Sequence, residues 1–142
     1  MNGGNLWIQK NKLLYHLQDF SALKENHYFK SDQKLSTIKE EVVHLNFIGN
    51  NTEYEVEKQE KSEAYYNYFI GNDESKWAKG VYGYSNITLK NFYDGIDLVF
   101  KTKDEEVKYE FVVDAKKDPS TISFNYSGQQ NIKVDKTGNL II

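Results

Sequence analysis

The chain has 142 residues, 39% of them apolar, with a formal net charge of -3 and no cysteine. That is the length of one ordinary domain, which buries roughly two-thirds of the surface its unfolded chain exposes, and 11 Tyr, 8 Phe and 2 Trp supply area for a core. The interspersed charge offers no basic field for nucleic acid, and the missing cysteine excludes thiolate nucleophiles, disulfides and thiolate zinc sites.

In chain order, Leu6-Trp7-Ile8 and Leu13-Leu14-Tyr15-His16-Leu17 flank Lys10-Asn11 and predict an opening hairpin. Residues 19–40 are polar and without period, which predicts a long loop or insertion. From Glu41 to Ile48 the pattern alternates, Val43, Leu45 and Phe47 on one face, Val42, His44 and Asn46 on the other. Gly49-Asn50-Asn51 predicts a turn, and Glu57–Glu63 a charged, solvated connection. Tyr65–Ile70 is aromatic on both faces, the pattern of a strand buried on both sides or passing between sheets. Gly71–Trp77 reads as a turn and one helical turn, capped by Asn72 or Asp73, with Trp77 plugged into the core. Strands follow near 84–90, 95–102, 106–113, 121–127, 132–135 and 139–142, the rhythm of a sandwich or barrel.

One hairpin carries its own register. A turn centred on Lys103-Asp104 sets Phe100 opposite Val107, Leu98 opposite Tyr109 and Ile96 opposite Phe111, all on one face. On the other face the same register sets Asp97 opposite Glu110, a like-charge conflict.

That corner is the first candidate site. Asp94, Asp97 and Glu110 supply three carboxylates, the oxygen chemistry that calcium takes. The competing reading is that Lys101 or Lys108 neutralises the pair in solvent, since the spacing of an Asp-rich calcium loop is absent. A catalytic carboxylate dyad on Asp97 and Glu110 needs a cleft that the sequence does not show. His16, His27 and His44 are isolated, with no His-x-x-x-His spacing, and read as structural. There is no phosphate loop and no nucleophile elbow. The second candidate is a stacking platform for sugar rings built from Trp7, Trp77, Tyr82 and Tyr84; the competing reading places these aromatics in the core.

Tyr66-Asn67-Tyr68-Phe69-Ile70-Gly71-Asn72-Asp73-Glu74-Ser75-Lys76-Trp77 is a distinctive run. With Tyr93-Asp94-Gly95-Ile96-Asp97-Leu98, Lys108-Tyr109-Glu110-Phe111-Val112-Val113 and Asp118-Pro119-Ser120, it resembles a β-rich module of unassigned function found near the N-terminus of large secreted Bacteroidetes proteins. Asn5-Leu6-Trp7-Ile8 and His44-Leu45-Asn46-Phe47 are similar to that family's first and third strands, so the resemblance covers nearly the whole chain. It implies a context: such proteins continue into β-propeller-type (SBBP) repeats or immunoglobulin-like modules and end in gliding-motility or type IX secretion sorting domains. It implies no catalytic residues. The start, Met1-Asn2-Gly3-Gly4, lacks the features of a signal peptide, so secretion or display at the cell surface is an expectation from the resemblance alone.

The sequence therefore predicts a single all-β domain over residues 1–142, antiparallel and sandwich-like with one short helical turn, cut from a larger exported protein. The expected role is a non-catalytic structural or interaction module that contacts neighbouring domains of its parent, without cofactor, nucleic acid or membrane insertion. The alternative is a carbohydrate-binding adhesin domain, calcium-assisted through Asp94, Asp97 and Glu110, that holds surface glycans on Trp77, Tyr82 and Tyr84.

Overall fold

Alternating apolar residues need a partner strand, and in the computed structural model, which describes residues 3–20, 38–104, 106–129 and 131–141, nearly every such stretch finds one. Of the described residues 66% are strand and 5% lie in short 3-10 turns, so the fold is all-β; its sheets are antiparallel and close no barrel. The chain divides into two compact units, Met1–Asn50 with Ile122–Ile142, and Asn51–Thr121.

The first unit carries β1 (Gly4–Gln9), β2 (Lys12–Asp19), β3 (Lys39–Ile48) and, later in the chain, β8 (Ser123–Ser127), hydrogen-bonded in the order β1-β2-β3-β8. The opening hairpin and the alternating third strand fall where the sequence places them. Leu13 pairs with Leu45 and Phe47 with Phe124. Leu13, Val43, Leu45 and Phe47 are buried, and full burial of each Leu contributes about 1.5–3 kcal/mol. The expected loop over residues 19–40 falls largely on residues 21–37, outside the described residues, as does His27.

A two-stranded hairpin, β9 (Lys133–Val134) with β10 (Leu140–Ile141), completes this unit. Its turn is organised by one carboxylate. Asp135 accepts from the N–H and hydroxyl of Thr137, each at 2.8 Å, and from the N–H and side-chain amide of Asn139 at 2.9 and 3.0 Å. Gly138, at φ 89°, takes the left-handed position that a side chain resists.

The second unit is a meander of β4 (Glu55–Tyr68), β5 (Ala78–Tyr93), β6 (Ile96–Lys103) and β7 (Glu106–Val113), hydrogen-bonded in that order. Its buried residues are Leu89, Phe92, Tyr93, Ile96, Leu98 and Phe100. The cross-strand rows Leu89–Leu98–Phe111 and Ile87–Phe100–Tyr109 set large side chains side by side. Phe92 packs its ring edge-on against Tyr93, with centroids 5.4 Å apart.

Phe92 and Tyr93 are consecutive and both buried, whereas a regular strand would point them to opposite faces. A bulge between Leu89 and Tyr93 reconciles them. Asn91 takes φ 54° there, and its side-chain oxygen accepts from the Gly95 N–H at 2.9 Å. Asn51 also grips the bulge, donating from its side chain to the Asn91 carbonyl and from its N–H to the Phe92 carbonyl. Gly95 is at φ 66°, and an added Cβ would lie 2.6 Å from the Lys117 side chain, so this turn requires glycine.

Three expectations change. The β6–β7 hairpin is registered two residues further on: Lys103 pairs with Glu106, Leu98 with Phe111 and Asp97 with Val112. The connection begins at Asp104, at φ 50°, a conformation Asp tolerates better than Lys. A shift of two keeps every side chain on its face, so the apolar face survives while the Asp97–Glu110 opposition disappears. The charged segment Glu57–Glu63 is part of β4, because an edge strand with both faces exposed tolerates charge on both. The aromatic run Tyr65–Tyr68 is likewise exposed, not buried on both sides.

Asp135 is expected to titrate near 2 in the folded chain because Thr137 and Asn139 donate to its ionised form, against about 3.9 when unfolded. A carboxyl depressed by folding stabilises above its unfolded pKa, so this turn's contribution holds above about pH 4 and drains away as the pH falls toward 2. A carbon-13 NMR titration of the side chain, assigned against Asp135→Asn, checks it; an unshifted midpoint would contradict the turn geometry.

Candidate functional site

The three candidate metal ligands are each engaged by lysine. Asp94 is met by Lys117 at 2.8 Å. Asp97 accepts from the Lys90 ammonium at one oxygen and from the Asn91 N–H, at 2.7 Å, at the other. Glu110 accepts from Lys101, with Lys108 3.5 Å away. No group of three or more potential ligands assembles among the described residues.

The pairings of Asp97 and Glu110 have local causes. Asp97 points along β6 to the bulge in β5, where it fixes the backbone that lets Phe92 and Tyr93 both turn inward. Burial alone would raise its pKa, but the hydrogen bonds from Lys90 and the Asn91 N–H outweigh burial and hold it below the usual range. Glu110 answers a different need: the true register sets Lys101 directly opposite Lys108, and Glu110, one diagonal step away, lies between the two ammonium groups. The hydrogen bond from Lys101 lowers its pKa, and both lysine charges add to that. His16 contacts Glu40 at 3.3 Å, and Gln18 donates to the same carboxylate at 2.7 Å.

The aromatic candidates separate. Trp7 is exposed on β1 of the first unit. Trp77, Tyr82 and Tyr84 belong to the second unit, at the end of a long ribbon. β5 pairs with β6 only from Asn86 onward, so Ala78–Ser85 pairs with β4 alone and the hairpin runs on past the four-stranded sheet. At its tip a 3-10 turn, Glu74–Lys76, is capped by Asp73, whose carboxylate accepts from the Ser75 N–H at 3.1 Å. Trp77 does not plug a core: it is half-buried, donates from Nε1 to the Gly71 carbonyl at 3.1 Å and packs edge-on against Phe69.

The ribbon changes character along its length. Glu55–Glu63 carries Glu55, Glu57, Lys58, Glu60, Lys61 and Glu63, whereas Ala64–Ile70 carries no charge. The change coincides with a bulge in β4 between Lys61 and Tyr65, held by Ser62, which donates to the Ala64 carbonyl at 2.6 Å and accepts from the Gly83 N–H. Beyond it Tyr65, Tyr66, Tyr68, Phe69 and Ile70 are exposed, Tyr66 at 61% and Ile70 at 75%. An uncharged aromatic surface on an edge strand has the composition of an interface core. Periodicity could not find it, because full exposure and full burial of both faces read alike; the charges on both faces of the preceding residues were the available signal.

For sugar stacking the three named rings are partly occupied. Lys61 Nζ sits 3.4 Å from the centroid of Tyr82, and Tyr65 lies against the same ring at 5.6 Å. Lys58 is 5.6 Å from the centroid of Tyr84. The carboxylate corner is also remote: Lys90, which holds Asp97, lies eight residues along β5 from Tyr82, about 25 Å at the rise of a strand.

Asp97→Ala is expected to cost about 1–3 kcal/mol by releasing the bulge, equally in calcium and in EDTA. Chemical denaturation in both buffers checks it. A loss confined to calcium would make the carboxylate a cation ligand instead.

No curated protein and no solved structure matches the chain. Its sequence pattern does match one family over residues 1–142. On that full-length match, the chain of two antiparallel units belongs to a family described as a domain of unknown function, DUF7948.

Proposed function

We propose that this domain is a non-catalytic interaction module of a secreted or cell-surface bacterial protein, and that it makes contact through the aromatic half of the β4–β5 ribbon. The observation that carries the reading is the uncharged segment Ala64–Ile70, exposed on an edge strand beside Trp77 and Tyr82. Exposed aromatic area of this kind marks a contact surface. Asp97 and Glu110, the carboxylates that a hydrolytic dyad would recruit, are tied to lysines in places that the bulge and the β6–β7 register account for. Export rests on the resemblance that the motifs of the ribbon and the β6–β7 hairpin carry to a module of secreted proteins. Adjoining domains of a parent protein are among the partners such a surface suits.

A photo-crosslinking amino acid placed at Tyr66, with Val112 on the exposed face of β7 as control, tests the reading in producing cells. Protein crosslinks from position 66 well above those from position 112 are expected; equal or absent crosslinking would remove the ribbon as a docking surface. Carbohydrate binding is the second reading, favoured by the partial exposure of Trp77, Tyr82 and Tyr84. A glycan array read in calcium and then in EDTA addresses it, and a hit lost in Trp77→Ala would displace the protein-contact reading.

A further inference from the structure

We propose that the uncharged edge Ala64–Tyr68 pairs antiparallel with the same segment of a second copy of this chain, extending the β4–β7 sheet across a twofold axis at Tyr66. This rests on the ribbon being a docking surface and names its occupant.

The partner must be a strand. Among the described residues β4 is the outer member of its sheet, with one side paired, and the other side of an edge strand offers backbone donors and acceptors to another strand. Natural edges are guarded by charge, proline or bulges. Up to Glu63 this edge carries charges, and a bulge runs through Ala64; from Tyr65 to Tyr68 there is no charge, proline or bulge on β4. The second irregularity, between Tyr66 and Tyr68, leaves β4 regular, because the extra residue is on β5. There Gly80, at φ 64°, donates to the Asn67 side chain at 2.9 Å.

The segment suits itself. With Tyr66 opposite Tyr66, Ala64 of each copy meets Tyr68 of the other and Tyr65 meets Asn67, so large residues face smaller ones on each side of the central tyrosines and no like charges oppose. An isologous contact uses one patch on both copies, and an uncharged patch asks for no complementary charge. The rings of Tyr65, Tyr66, Tyr68 and Phe69, each about half exposed, offer about 400 Å² at ~200 Å² per ring. That is near half of the ~800 Å² that a stable partner contributes, with the strand edge, Ile70 and Val81 to supply the remainder.

Sedimentation velocity of the full chain from about 1 to 200 μM tests the proposal, within the μM range in which interfaces of this size associate. Concentration-dependent dimer is expected, and Tyr66→Lys should weaken it at least tenfold (about 1.4 kcal/mol) with an unchanged melting curve. The chain has no cysteine, so Tyr66→Cys should oxidise to a disulfide-linked dimer, the paired Cα atoms across an antiparallel ladder lying about 4.5–5.5 Å apart, within disulfide reach. Val112→Cys should form no disulfide-linked dimer. A wild-type chain monomeric throughout, or a Tyr66→Lys variant that dimerises undiminished, overturns the proposal. If the chain is monomeric but position 66 crosslinks to a different protein in cells, self-pairing falls and the contact-module reading stands.

Discussion

The carboxylate of Asp97 holds the two ends of a disagreement between local pattern and core. A strand turns alternate residues inward, yet the second unit needs both Phe92 and Tyr93 inside. At the bulge that permits this, Asp97 accepts from the Asn91 N–H and from the Lys90 ammonium. Gly95 and Asn51 close the remaining bonds around it. The aromatic contacts of Phe92 with Tyr93 and Tyr54, and of Tyr93 with Phe111, depend on that arrangement.

The same economy runs through the other acidic groups. Glu110 compensates the Lys101–Lys108 opposition of the β6–β7 register. Asp73 caps the ribbon tip, Asp118 accepts from Ser120 before β8, and Asp135 closes the β9–β10 turn. In each case a local backbone or charge problem accounts for the carboxylate, and its lowered pKa records the donors it has gathered.

Much of this was legible in the residues. The alternation of Val43, Leu45 and Phe47 identified β3 and its buried face because one face of that strand is covered. The helical turn after Gly71 and its cap at Asp73, one of the two candidates, followed from local chemistry alone. What stayed hidden depends on neighbours. The β6–β7 register turned on the conformation of Asp104, and a displacement of two leaves the hydrophobic pattern unchanged. Tyr65–Ile70 was read as interior because an aromatic strand with no dry side and one with no wet side have the same period. Only the pairing of β5 with β6, which starts at Asn86, tells them apart.

That late start has a consequence for how the unit opens. β5 is one continuous strand whose inner half lies between two neighbours and whose outer half has one. Isolated two-stranded hairpins are marginal in water, so the ribbon borrows its order from the sheet in which it is rooted. The tip can fray while the core stays closed, but losing β5 from the core releases the tip. Resistance to local opening should therefore fall in a step along a single strand near Ser85, which makes the domain a rigid base carrying a compliant arm.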